Sequence, residues 1–181
     1  MESMTTITVQ DWFTADDLDS MPDDGQRYEL LDGEILVTPA PRVIHQSAVL
    51  ELVYALKAAL PSGMRILTAP TDVRFSLKRQ FQPDVLVVVD GPLDVPRIEG
   101  PPLLVVEVLS KSTRSRDLIG KRAAYQDAGV PSYWLVDTKV PSLTVLELVD
   151  GSYREQVVSG EQGYDATAPF SVRIVPADLV R

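Results

Sequence analysis

The sequence predicts an α/β domain built on a mixed central β-sheet. Three observations lead there. Strands and helices follow one another in the order β-β-α-β-β-β-β-α-β-β-β; two of the strands are unbroken runs of Val and Leu; and two Asp-Gly pairs mark hairpins.

The first element is a short helix. Thr14 caps it, Asp16 and Asp17 suit the positive end of its dipole, and the run from Pro22 through Asp23 and Asp24 to Gly25 stops it. Arg27 to Leu31 and Glu34 to Thr38 then flank Asp32-Gly33, a strong two-residue hairpin signal. That register sets Leu31 against Glu34 and puts Tyr28, Leu30, Ile35 and Val37 on one side. Between Arg42 and Leu60 the residues Ala48, Val49, Leu52, Val53, Leu56 and Leu60 recur at helical spacing, and Pro61-Ser62-Gly63 ends the pattern. His45 lies one turn before Ala48 and Val49, along the buried face. Strands are expected at Met64 to Thr68, Val73 to Leu77, Gln82 to Val89 and Leu103 to Leu109, the last two with the continuous apolar character of strands buried on both faces. Thr113 to Ala128 reads as a helix, closed by Gly129 and Pro131. Ser132 to Asp137 and Leu143 to Val149 are strands, Asp150-Gly151 turns the chain into Tyr153 to Val158, and Ala177 to Val180 reads as one helical turn.

With 181 residues, 45% of them hydrophobic and 24% charged, the chain is expected to be one domain spanning residues 1–181, with a core that needs no disulfide or metal staple. It contains no cysteine, which excludes thiolate zinc sites, iron–sulfur clusters and cysteine nucleophiles; His45 is the only histidine, which excludes a multi-histidine metal site. No apolar run approaches the roughly 18 residues of a membrane span, and the N-terminus lacks the basic end and apolar core of a secretory signal, so a cytoplasmic protein without membrane contact is expected. Lys and Arg total 17 against 26 for Asp and Glu, a net charge of −9. Such an acidic surface argues against a general nucleic-acid coat protein, and leaves open a local basic groove or a carboxylate site neutralised by a divalent cation.

Two acids interrupt apolar strands: Asp84 at the head of PDVLVVV and Glu107 inside LLVVEVL. An unpaired buried carboxylate costs several kcal/mol, so each needs a reason to be there. One reason is mundane: a strand end near solvent for Asp84, and an Arg or Lys partner for Glu107. The other follows from register. If the two strands pair antiparallel with Val89 facing Pro102, Asp84 and Glu107 stand opposite each other, with Cβ atoms about 5 Å apart; a one-residue slip sends them to opposite faces. Like charges that close call for a bridging cation, and hard oxygen ligands suit Mg²⁺ or Mn²⁺. Metal-assisted phosphodiester hydrolysis also needs a positive group beside the developing charge. Lys111, four residues after Glu107, and Lys121, on a helical stripe with Asp117 and Tyr125, both compete for that place; a surface ion pair with Asp117 is the alternative for Lys121.

YELLDGEIL at Tyr28 to Leu36, a helix entered through His45, PDV at Pro83 to Val85, VVEVLS at Val105 to Ser110, the helix with Asp117, Lys121 and Tyr125, and YWLVD at Tyr133 to Asp137 occur in this order. The ordered set resembles the Uma-type restriction endonuclease family, a branch of the PD-(D/E)xK nuclease superfamily, over residues 10–150. The resemblance implies a restriction-endonuclease-like core, a mixed central sheet flanked by helices with additional β-hairpins and with metal at its edge. It implies Asp84 and Glu107 as metal ligands, the backbone carbonyl of Val108 as a third, Mg²⁺ or Mn²⁺ as cofactor and DNA as substrate. The superfamily's E-x-K lysine would fall at Leu109; in the resembling family it comes from the next helix, which matches Lys121 and makes Lys111 incidental. His45 becomes a candidate for orienting water or touching phosphate, Glu34 for the first-helix-side acid that many such nucleases carry, with Asp72 of equal standing, while Trp12 and Trp134 read as packing residues. The expected protein is a Mg²⁺-dependent DNA endonuclease, with the apolar strands after Leu143 as a homodimer edge. A non-catalytic nuclease-fold module, acting as a subunit or regulator in a larger assembly, is the alternative that the net charge of −9 favours.

Overall fold

The computed structural model describes residues 12–22, 24–110 and 114–181; Asp23, Lys111 and the expected helix start at Thr113 lie outside the described residues. A short helix α1 (Ala15–Leu18) opens the chain, with Thr14 and Asp17 forming a capping box. Next come β1 (Arg27–Leu31), β2 (Glu34–Thr38), α2 (Val43–Ala59), β3 (Met64–Thr68), β4 (Val73–Ser76), β5 (Arg79–Phe81), β6 (Val85–Val89), β7 (Ile98–Glu99) and β8 (Leu104–Leu109). A π-helix (Arg116–Lys121) runs directly into α3 (Arg122–Asp127), followed by β9 (Ser132–Asp137), β10 (Ser142–Val149), β11 (Ser152–Ser159), β12 (Tyr164–Ala166), β13 (Val172–Ile174) and a 3₁₀ helix (Pro176–Val180).

The central sheet has six strands in the order β11-β10-β9-β8-β6-β3. It is mixed: β8 and β9 run parallel and every other neighbouring pair runs antiparallel. A parallel pair requires a crossover, which the π-helix and α3 supply. Apart from Glu107 in β8, the strands β6 and β8 are apolar because both faces are covered. On one side Val85, Val87, Leu104 and Val106 pack against Ala48, Leu52 and Leu56 of α2 and against Phe170, Ile174 and Leu179 of the tail. On the other, Val105 and Leu109 meet Phe81, Tyr125, Tyr133 and Leu31. That second layer includes a separate five-stranded sheet, β2-β1-β5-β4-β7.

Both Asp-Gly hairpins form as expected. Asp32 and Gly33 have φ of 51° and 89°, and Asp150 and Gly151 have φ of 52° and 79°, the left-handed pair that a tight hairpin between twisted strands demands. The register sets Leu31 against Glu34 and Leu30 against Ile35.

Three expectations need correction. The strand expected from Gln82 begins only at Val85, because Pro83 has no N–H for the ladder and the Gln82 N–H bonds to the Glu29 carboxylate instead; Arg79 to Phe81 is a separate strand of the other sheet. The helix expected from Thr113 to Ala128 winds through Arg116–Lys121 as a π-helix before becoming α-helical. The strands from Leu143 onward are not exposed alike: in β10 Leu143, Val145 and Leu146 are at most 1% exposed and turn into the core, while β11 stands at the edge of the sheet with Val157 exposed. Among the described residues no helix is long and apolar enough to cross a membrane.

The first hairpin depends on Gly33. An added Cβ there would keep an unfavourable positive φ and sit 3.0 Å from the Trp12 Cβ. Gly33→Ala is therefore expected to destabilise the protein by about 1–3 kcal/mol, read as a lowered urea midpoint.

Candidate active site

The antiparallel ladder between β6 and β8 pairs Val85 with Val106, Leu86 with Val105 and Val87 with Leu104. Carried one step further, this register sets Asp84 against Glu107, and the Val108 N–H reaches across to Asp84 Oδ2 at 2.8 Å. Both acids are buried, at 4% and 2% exposure. They stand at the wall of a cavity of about 450 Å³, whose rim is the Thr38–Arg42 segment between β2 and α2.

Lys121 lies inside this site. Its Nζ donates to Glu107 Oε1 and to Glu29 Oε1, each at 2.8 Å, and stands 3.9 Å from Asp117 Oδ1. The π-helical segment carries both Asp117 and Lys121, an i, i+4 pair, to this buried point. Tyr125, on α3, donates its hydroxyl to Glu107 Oε1 at 2.9 Å while its ring is wedged among Phe75, Phe81 and Tyr133. The Tyr133 hydroxyl donates to the Asp117 carbonyl at 3.0 Å, tying the helix to β9.

Asp84 is held by three donors: Val108 N–H, His45 Nε2 at 3.1 Å and Arg27 Nη1 at 3.0 Å. Helix α2 brings His45 in through its first turn, on the same face as Ala48 and Leu52. Arg27 stands at the start of β1, two residues before Glu29 and so on the same face of the strand.

Burial works against charge on all these groups, and the neighbours decide the outcome. For Asp84, burial is overcome by the His45 hydrogen bond, the Arg27 charge and the Val108 N–H, and its carboxyl is held below the usual range. For Glu107, burial prevails with help from Asp117, Asp84 and Glu29, and its pKa is pushed up to about 8 although Lys121 pulls the other way. Lys121 is driven above its ordinary range: burial opposes its charge, but Glu107, Glu29 and Asp117 outweigh it. Across the Lys121–Glu107 bond the ammonium keeps its charge, since three carboxylates face it. Burial holds the Tyr125 hydroxyl protonated, as a donor.

The structure thus brings together Asp84, Glu107, Lys121, His45 and the Val108 backbone among the residues expected from sequence. It leaves Glu34 out. Glu34 sits exposed at the turn end of β2, whereas the opposite end of that strand, at Thr38, meets the cavity. Asp72 instead accepts from the Gln82 side chain at 3.1 Å and does not line the cavity. The acid the first hairpin contributes is Glu29, 2% exposed. The sequence carried only a partial signal: Glu29 and Glu34 both share a face with Leu31, and only the packing of the fold shows that Glu29 is the one covered. Arg27 and Asp117 had no such signal.

The donor set suits a hard divalent cation. The carboxyl groups of Glu29, Asp84 and Glu107 outnumber the positive groups of Arg27 and Lys121, so negative charge is in excess once Glu107 gives up its proton. Arg27 Nε, Thr38 Oγ1 and His45 Nδ1, all on cavity-lining residues, are buried without hydrogen-bond partners among the described residues. Among the described residues no three His, Asp or Glu side chains form a ready-made metal cage. A Mg²⁺-type site does not need one, since that ion takes one or two carboxylates and fills its shell with waters.

The fold is shared with a crystal structure of "a putative nuclease belonging to DUF820" from Anabaena variabilis, with a TM-score of 0.75 at 17% identity, covering 93% of this chain and 97% of that one. No curated protein matches the chain. The sequence family Uma2, described as "Putative restriction endonuclease", matches residues 15–174, which take in the first helix, both main sheets and every residue of the site. By that match the protein belongs to the Uma2 family, and its nuclease-like fold agrees.

Proposed function

We propose that this protein is a divalent-cation-dependent endonuclease that hydrolyses phosphodiester bonds in DNA. The observation that carries the reading is the convergence of Asp84 and Glu107, from adjacent strands, beside a lysine that is obliged to stay charged. Asp84, Glu107 and the Val108 carbonyl would hold Mg²⁺ or Mn²⁺; a strand residue sends its N–H and C=O to the same side, and the Val108 N–H already points at Asp84. When bound, such an ion polarises a phosphate and acidifies a water.

The protein's own groups have defined tasks in this reading. Lys121, too strongly charged to accept a proton, stabilises negative charge developing on the phosphate. Glu29 and Tyr125 fix the Lys121 ammonium and the Glu107 carboxylate, so neither must reorganise during the reaction. His45, bonded through Nε2, orients Asp84 at the cavity wall.

Glu107→Gln keeps an acceptor for Lys121 and Tyr125 and removes the charge. It is expected to stay folded, to lose Mn²⁺ binding in calorimetry, and to lose plasmid cleavage by at least about 10²–10³-fold. Full cleavage by this variant would remove Glu107 from the mechanism. Absence of Mn²⁺ binding to the wild type would favour the non-catalytic reading that the net charge of −9 suggests.

Lys121→Met leaves Glu29 and Glu107 buried without their shared counter-ion. A loss of about 3–5 kcal/mol in stability is expected, with Mn²⁺ restoring part of it in thermal melts because it neutralises the same acids.

A pH dependence follows from Glu107. Its pKa in the folded protein, about 8, lies above its ordinary 4.5. Its contribution to the stability of the cation-free protein is therefore present below pH 4.5 and lost as pH rises through about 8. A cation must displace that proton, so Mn²⁺ affinity should climb as pH rises toward about 8 and level off above it. Titrations between pH 6 and 9 in buffers of different ionisation enthalpy would check the proton release, and a flat profile across that range would contradict it (about one proton per ion at the lower end).

A further inference from the structure

The three donors on Asp84 are not equivalent. Oδ2 takes the Val108 N–H at 2.8 Å and His45 Nε2 at 3.1 Å, while Oδ1 takes Arg27 Nη1 at 3.0 Å. An ionised carboxylate oxygen accepts about two donors, so Oδ2 is filled and the remaining capacity, among the described residues, is on Oδ1. A divalent cation approaching Asp84 therefore meets the atom on which a guanidinium already sits. The two positive charges repel, and arginine cannot relieve the repulsion by losing a proton.

Arg27 can relieve it by turning. Its second anchor is neutral: Nη2 donates to the Gln82 carbonyl at 3.0 Å. Its Nε is buried without a partner among the described residues. Its side chain is 19% exposed against 3% for Lys121, and it lines the cavity. Lys121 is pinned between two acids, whereas Arg27 has room to move while staying tethered. A phosphate is the anion whose geometry the planar fork of Arg27 matches.

Resting on the metal-dependent reading above, we infer that Arg27 couples cation binding to phosphate binding in this site: paired with Asp84 in the cation-free protein, it transfers its guanidinium to the substrate phosphate and leaves the carboxylate to the ion. Each ligand then tightens the other by the same factor.

The test is calorimetric titration of Mn²⁺ into the full chain, alone and with saturating thymidine 5′-monophosphate, which offers a phosphate and no diester to cleave; Mn²⁺ titrated into the nucleotide alone is subtracted. The wild type should bind Mn²⁺ about 5- to 150-fold more tightly with the nucleotide present. Arg27→Gln, which keeps a donor for Asp84 but not the charge, should bind Mn²⁺ more tightly than the wild type without nucleotide and gain nothing from adding it. Arg27→Lys keeps the charge and lacks the fork; it should retain the weaker Mn²⁺ affinity and lose most of the coupling. Thermal melts confirm that each variant is folded, and the Arg27→Lys result stands by itself if Arg27→Gln is not. Unchanged or weakened Mn²⁺ affinity in Arg27→Gln, coupling undiminished in Arg27→Lys, or no coupling in a wild type that binds Mn²⁺ each overturns the role of Arg27 and leaves the nuclease reading standing. No Mn²⁺ binding to the wild type under either condition overturns both.

Discussion

The Lys121 ammonium, 2.8 Å from Glu29 and 2.8 Å from Glu107 with none of the three more than 3% exposed, is the interaction on which the rest of the architecture turns. It joins three pieces of chain that also pack together through an apolar cluster: the first hairpin, the central sheet and the crossover between its parallel strands. A buried ionic group of this kind is a poor stabiliser compared with apolar packing of the same volume. Its presence in the middle of a Val/Leu-rich layer is better explained by what the charges do than by what they hold together. The surroundings support that view. The aromatic wall of Phe75, Phe81, Tyr125 and Tyr133 excludes water from the lysine and keeps its surroundings of low dielectric, which is where a fixed charge acts most strongly.

Local geometry is bent to reach this arrangement. The crossover is π-helical rather than α-helical where it carries Asp117 and Lys121, both of them buried, and Tyr133 ties that segment to the neighbouring strand. The proline before Asp84 has a matching effect on the other side of the sheet. It ends the ladder at Val85, so Val108 faces a side chain rather than a strand and can donate its N–H to Asp84. Both irregularities fall on the site, as expected where function overrides the local rules of secondary structure.

What was legible in the sequence was whatever a periodicity or a turn residue fixes. The Asp-Gly pairs set two hairpins, and the unbroken apolar runs identified the double-sided strands. The 89-to-102 register, guessed from loop length, has the same offset as the observed pairing and therefore aligned Asp84 with Glu107. Misplaced residues failed for a shared reason. Glu34 and Glu29 are acids on the same face of one hairpin, and choosing between them depends on which stretch of that face is covered. The cover comes from Lys121 and the aromatic residues Phe81 and Tyr125, far away in sequence, while the turn end at Glu34 stays exposed. Arg27 was invisible because an arginine at the start of a strand is ordinary until the fold shows that its partner is 57 residues away. The π-helix leaves no clear mark in a pattern of apolar spacing, since one extra residue per turn is lost in a short, mixed-polarity segment.

The excess of acid over base, which argues against a general nucleic-acid coat protein, takes on a different meaning at the site itself. Below about pH 8 Glu107 keeps its proton, so in the cation-free site Glu29 and Asp84 only balance Arg27 and Lys121 and offer phosphate no net attraction. On the reading proposed here a divalent ion adds two positive charges and displaces that one proton, so the same groups gain one net positive charge. Phosphate attraction would then be conditional on the ion rather than built into a basic groove. A nuclease made this way needs no strongly positive surface, and an overall charge of −9 limits how long it lingers on nucleic acid wherever its site is not loaded. The acidity of the chain and the chemistry of its carboxylates are then two consequences of one design, in which charge is withheld until the cation supplies it.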